Sequence, residues 1–220
     1  GSPAMRMFPQ GEDVSSSMTE RMVRDLINIP VHREDGRGIM ILIRQSNKSG
    51  RKIYQKILEA RNKLGLRKRF AVLLDLETRD QNRGNLAASM KEHNAELYDQ
   101  MVTANNGKVP KTYEDLDGLP CILILCEKGK MGDTFPKSFK YYDLRMRYAE
   151  KISERAPAEQ DLGRAFGYRR TADDLPLVIV GAACFRQFKK GRGGRKGLLQ
   201  IAPDVHMKKS RGAKITDAYP

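Results

Sequence analysis

The chain has 220 residues, 40% of them apolar, and a formal net charge of +14. That length buries a sizeable core and predicts one domain with appendages rather than two full domains. No apolar run approaches the roughly 18 residues that a membrane span needs, and the excess of cations favours a polyanionic partner, because lysine and arginine that neutralise phosphates release condensed counterions.

Taken in chain order, Gly1-Ser2-Pro3-Ala4-Met5 reads as a cloning scar ahead of native sequence, so a piece of a longer protein is expected. Residues 6–37 form an N-terminal extension, with a helix predicted from Thr19 to Ile27, ended by Pro30 and followed by a polar loop through Gly38. Ile39–Ile43 is a short continuous apolar run of the kind buried on both faces of a parallel sheet, and similar runs recur at Phe70–Leu74, Cys121–Leu125 and Leu177–Val180. Phe139–Leu144 is a fifth strand candidate, less apolar and expected nearer an edge. Between the first two runs, Ile53, Ile57, Ala60 and Leu64 share a helical face, and Gly65 follows where a C-cap is wanted. Leu86, Met90, Leu97 and Met101 share another, stopped by Asn105-Asn106-Gly107. From Tyr148 the pattern is helical again, and Pro157 suits the first turn of a further helix.

Strands alternating with helices define the α/β class: a parallel sheet with helices on both faces, spanning residues 38–185. Residues 186–220 read as a basic, flexible tail. Between 186 and 214 lie ten Lys/Arg against one Asp, which leaves about +5 for the remainder. Cys121, Cys126 and Cys184 lack the spacing of a zinc site or a disulfide framework, so a reducing intracellular compartment, nuclear or cytoplasmic, is the expectation. His32, His93 and His206 show no ligand spacing and read as surface histidines, so no metal site is expected. Cys126 reads as a packed strand cysteine, with a thiol activated by Lys128 and Lys130 as the alternative. Tyr141, Tyr142 and Tyr148 read as half-buried packing, with base stacking as the alternative.

Ligands of open α/β sheets bind beyond the carboxyl ends of strands. The loop after the Cys121–Leu125 run carries Gly129-Lys130-Met131-Gly132-Asp133-Thr134-Phe135-Pro136, whose glycines allow close backbone approach to a phosphate and whose lysines supply charge. An ordinary loop with solvated lysines is the bland reading. If Pro157 opens a helix, Gln160, Gly163 and Arg164 fall on one face, and Gly167 ends the helix so that Arg169 and Arg170 emerge at its C-terminal end. Arginines that merely complement the helix dipole are the alternative there.

Together these segments resemble the C-terminal, second RecA-like lobe of superfamily 2 helicases and translocases, over residues 38–182. Gly132 and Pro136 keep the family's loop spacing, Asp143 ends the next strand, and Gln160, Gly163 and Arg164 match its Gln-x-x-Gly-Arg helix. Ile39–Arg44 followed by Gln45-Ser46-Asn47 looks like the family's earlier strand-and-loop motif that contacts nucleic acid. Two departures stand out. The loop's acidic residue is Asp133, one place before the usual position, which Thr134 occupies. The second arginine of the helix motif would fall at Gly167, leaving Arg169 or Arg170 as substitutes.

The resemblance implies a second motor lobe of a nucleic-acid-dependent ATPase. Arg164, Arg169 and Gln160 would take the catalytic roles, and Gly132, Asp133, Thr134 and Gly163 would approach the nucleotide. DNA or RNA would meet Arg44, Gln45, Lys128 and Lys130, with the tail residues Lys189, Lys190 and Arg192 adding charge. No GxxxxGK[ST] sequence and no strand ending in an Asp-Glu pair occurs. ATP and Mg²⁺ would therefore be held mainly by a partner N-terminal RecA-like lobe, expected upstream of Met5, and the fragment alone would be inactive. The runner-up is a catalytically silent helicase-like lobe that scaffolds protein or RNA assembly, and a third possibility is a free-standing phosphate-binding domain.

Overall fold

The computed structural model describes residues 22–28, 39–76, 86–126, 134–145, 147, 161 and 176–180. Residues 22–28 are helical and are called α1. The remaining elements are β1 (Met40–Gln45), α2 (Asn47–Lys63), β2 (Ala71–Leu76), α3 (Leu86–His93), α4 (Ala95–Ala104), a 3-10 turn at Glu114–Leu116, β3 (Cys121–Cys126), β4 (Phe139–Asp143) and β5 (Leu177–Ile179). The five strands form one sheet in the order β2-β3-β1-β4-β5, and every pairing is parallel. This is the RecA-like α/β arrangement.

All four apolar runs and the weaker fifth are strands. β3 is buried at every residue, as a two-faced central strand requires. β4 is not at an edge. It pairs with both β1 and β5, and its lower apolar content reflects Lys140, which lies at a register shift against β1 and is exposed. The helix predicted around Ile53–Leu64 starts six residues earlier, at Asn47, and Gly65 takes the left-handed conformation (φ 68°) that ends it, while the Leu66 N–H bonds back to Arg61 O.

Alternate residues of the strands feed two cores. One holds Ile41, Val72, Leu74, Ile122 and Ile124 beneath Tyr54 and Leu58 of α2. It also receives Met22 and Leu26 of α1, and Asp25 accepts a short hydrogen bond from the Tyr141 hydroxyl. α1 therefore packs on this core. The opposite core holds Met40, Leu42, Leu73, Leu123 and Tyr142 against Met90, Leu97 and Met101 of α3 and α4.

The apolar face expected from Leu86 to Met101 is shared by two helices that break at Asn94, and the break has a purpose. β2 is an edge strand whose outward polar groups lack a strand neighbour. Asn94 supplies one in miniature: its Oδ1 accepts from Val72 N at 2.9 Å and its Nδ2 donates to Val72 O at 2.9 Å. Ser89 Oγ accepts from Leu74 N at 3.1 Å, one strand period further on. Although Asn94 sits at the N-cap position of α4, its side chain makes no cap bond, being committed to the strand.

Arg61, 2% exposed, locks this edge from the α2 side. It donates to Phe70 O at 3.1 Å, Asn94 Oδ1 at 2.6 Å and His93 O at 2.9 Å. Burial lowers its pKa from the usual arginine value, Arg67 adding to the effect and Tyr54 and Glu96 opposing it. Replacing Asn94 by Ala strands two backbone groups of β2 and one Arg61 donor, and is expected to cost about 3 kcal/mol in urea unfolding. Asn62→Ala, which loses only long contacts to Arg61, should stay within about 0.5 kcal/mol.

Tyr54 packs edge-on to His93 at 5.8 Å, and its hydroxyl is buried without a hydrogen-bond partner. Burial, reinforced by Glu92 and opposed by Arg61, pushes the phenol up to about 12. The neutral form favoured by the fold contributes fully below the unfolded value near 10, and the contribution is lost as pH climbs through the folded value. Tyr54→Phe should change stability at pH 7 by less than about 1 kcal/mol. Over the interval from about pH 10 to 12, its unfolding free energy should fall less steeply than that of the wild type.

Candidate functional site at the carboxyl edge of the sheet

From β1 the chain leaves toward β2 on one side, and from β4 toward β5 on the other, so the order reverses between the adjacent strands β1 and β4. Open α/β sheets place their ligand crevice at such a reversal, beyond the carboxyl ends of the strands.

β1 ends there in two polar residues, Arg44 and Gln45, after an apolar run. Strand periodicity turns Arg44 into the core shared with α3 and α4, level with Leu125 of β3, and it is only 3% exposed. A guanidinium in such surroundings is very costly unless a carboxylate meets it. Asp161 does so: its Oδ1 lies 3.3 Å from Arg44 Nε, with the two side chains 2% and 4% exposed respectively. The second oxygen, Oδ2, accepts from Arg147 Nε at 2.9 Å, and the Tyr142 hydroxyl approaches Oδ1 at 3.5 Å. One carboxylate, that of Asp161, thus joins the end of the central strand, β4 and the chain just beyond it.

On the opposite face of the same edge, Gln45 is buried and its Oε1 accepts from Ser46 N at 3.0 Å. Ser46 is extended, precedes α2, and pairs hydroxyls with Ser49 at 2.7 Å. A methyl group on Gly50 would stand 2.1 Å from Cys126 Sγ, so only glycine lets this first turn settle on the end of β3. No acidic residue lies in the first turn of α2, and Arg51 and Lys52 are exposed, so the turn is electropositive. Asp143, at the end of β4, is clamped by Arg145 through Nε at 3.0 and 3.1 Å, Nη2 at 2.6 Å and the backbone N–H at 3.0 Å.

Further along the edge, Asp75 of β2 is buried and accepts from the Tyr113 hydroxyl at 2.6 Å. Phe135 stacks on Tyr113 at 5.1 Å and leans on Phe139 at 5.2 Å, anchoring the chain that follows exposed Thr134. Among the described residues, no group of three or more His, Cys, Asp or Glu could hold a metal ion. Tyr141 and Tyr142 are buried, which assigns both to packing rather than base stacking. Cys126 is fully buried, and burial pushes the Cys121 thiol up from its ordinary value.

Of the predicted site residues, Arg44, Gln45 and Thr134 are described. Arg44 and Gln45, expected to contact nucleic acid, are buried: the strand period points them into the two cores, and each head group has an internal partner. Gln160, Gly163, Arg164, Arg169, Gly132, Asp133, Lys128, Lys130, Lys189, Lys190 and Arg192 lie outside the described residues. Sequence reasoning passed over Asp161, Arg145 and Arg147. The available signal was Arg44 itself, a charge in register with a buried strand face, which demands a carboxylate from elsewhere in the chain.

A parallel five-stranded sheet together with a Gln-x-x-Gly-Arg sequence motif is the pattern of a helicase-like lobe. The chain belongs to the family described as the circularly permuted SF2 helicase found in GREB1 proteins, whose model matches residues 4–178. It is 40% identical to a GREB1-like protein of Danio rerio over 169 residues, which cover 75% of this chain and 8% of that protein. The human GREB1-like protein is 36% identical over 160 residues, 71% of this chain and 8% of that protein. Protein GREB1 of Mus musculus is 27% identical over 175 residues, 79% of this chain and 8% of its own length. The chain thus spans about a twelfth of these relatives, and no solved structure matches it.

Asp161→Asn leaves Arg44 buried without its carboxylate and is expected to cost about 3–5 kcal/mol. The double variant Arg44→Met/Asp161→Leu should recover most of that loss in urea titrations, a non-additivity that single-site packing effects would not produce.

Proposed function

We propose that this lobe is the second motor lobe of a nucleic-acid-dependent ATPase, a helicase or translocase. The observation that carries the reading is the anchoring of Asp161, the residue after Gln160 in the Gln-x-x-Gly-Arg motif, beneath the carboxyl end of the central strand. An arginine three residues further on gains its value in phosphoryl transfer from accurate placement, and a buried, doubly paired carboxylate is a means of placing it.

In this reading ATP, with Mg²⁺, sits between this lobe and a complementary RecA-like lobe and supplies the phosphoryl group. Arg164, and Arg169 as the substitute for the arginine absent at 167, would face it, with Gln160 and Gly163 on the same segment. Gly132, Asp133 and Thr134 would approach it from the loop before β4. The described residues fit a lobe that does not cradle the triphosphate by itself: Arg44, the cation at the strand end, is committed to Asp161. The complementary lobe is assigned to no particular side of this one in the parent sequence, because the matched family is described as permuted.

The commitment of Arg44 also favours the second reading, a helicase-like lobe without catalysis that serves assembly. One experiment separates them. The full-length parent, given ATP and Mg²⁺, should hydrolyse ATP faster when DNA or RNA is added, and Arg164→Ala should lower that rate by about 10³-fold. A parent whose hydrolysis stays at background with either nucleic acid would overturn the motor reading and leave the scaffold.

A further inference from the structure

Among the described residues, exposed charge is segregated by sheet face. Along α2, the side chains of Arg51, Lys52, Lys56 and Lys63 are exposed, and the turn leading to β2 exposes Arg67-Lys68-Arg69 in succession. Glu59 is the acidic residue of that stretch. Lys52, Lys56 and Lys63 follow one another at helical spacing on one side of α2, and the distance from residue 51 to residue 63 is about 18 Å at 1.5 Å per residue. Leu66 packs into the core beneath α2, which holds the Arg67-Lys68-Arg69 turn on the same side of the sheet. None of these cations is in an ion pair with a described residue. The opposite face differs: α3, α4 and the 3-10 turn expose Glu92, Glu96, Asp99 and Glu114, against Lys91, Lys108 and Lys111.

The structure assigns this α2 face as a docking surface for duplex nucleic acid, held through its phosphate backbones and leading from the carboxyl edge of the sheet away toward the amino edge. Three features select that partner. The patch runs the length of the helix and ends at the turn before β2, below the amino edge of the sheet, so it matches an extended charged rod rather than a point ligand. It exposes no aromatic side chain on which unpaired bases could stack, Tyr54 being buried, which disfavours a single strand as the ligand. It also lacks the apolar centre that an acidic peptide would need for anchoring, since Leu64 is its single exposed large hydrophobic residue. Contacts of this kind position a duplex without reading its sequence. The surface works without nucleotide and without a second lobe, so it stands independently of the ATPase reading.

The test uses the 220-residue chain with its basic tail intact and a fluorescein-labelled mixed-sequence duplex of about 20 base pairs, as RNA and as DNA, titrated by anisotropy at salt between about 50 and 200 mM. Lys52→Gln/Lys56→Gln/Lys63→Gln should weaken binding at least about 10-fold and reduce the slope of log affinity against log salt by about 2 to 3. Arg67→Gln/Lys68→Gln/Arg69→Gln is a second, independent variant with the same expected direction. Both alter exposed side chains, and circular dichroism melts check that the fold is kept. Folded variants that bind within twofold of the wild type with an unchanged slope would overturn the proposal and leave the tail as the contact. A poly-glutamate peptide that binds the wild type more tightly than either duplex would overturn it in favour of an acidic protein partner.

Discussion

A buried arginine at the end of the central strand sets the terms for the carboxyl edge. Arg44 cannot remain in a core of leucines and tyrosines without an anion, and the anion comes from a segment more than a hundred residues away. Because Asp161 also holds Arg147, the same carboxylate draws the chain after β4 toward β1, across the point where strand order reverses. A pair of this kind is weak evidence for net stability, since hydrophobic side chains could fill the same space. Its consequence is positional: Asp161 and the end of the central strand have one relative placement in which both charges are satisfied.

The other long constraint lies at the far edge, where no described strand flanks β2 on its outer side. Asn94 meets Val72 N and O and Ser89 meets Leu74 N, and Arg61 gathers Asn94, His93 and Phe70 into one cluster that joins α2 to the α3/α4 side. This closes the sheet to further strand pairing and fixes α2 against β2 at its C-terminal end. Gly50 fixes it at the other end by admitting the helix onto Cys126. The basic face of α2 is therefore displayed on a helix held at both ends.

Two electropositive regions then stand at different places on one lobe. The first turn of α2 adjoins the carboxyl-edge crevice. The rest of α2 and the turn after it lead away from that crevice toward the amino edge.

Much of the scaffold was legible in the sequence. The apolar runs that became β1, β2, β3 and β5 needed no tertiary information, because a strand buried on both faces has few ways to be composed, and Gly65 announced its helix end through the conformation only glycine adopts cheaply. The break at Asn94 was not legible, since an asparagine between two helical stretches reads as a cap until the edge strand it serves is in place. Nor was the membership of α1 in the core, which depends on Met22, Leu26 and Asp25 meeting a sheet formed later in the chain. The motif Gln160-x-x-Gly163-Arg164 pointed to the helicase-like family from local spacing alone. Which charges are free and which are consumed was decided only by the fold, because ion pairing depends on distance in space: Arg44 looked like a ligand contact and is an internal partner, while the lysines of α2, dispersed along the chain, become a single charged face once the helix winds them together.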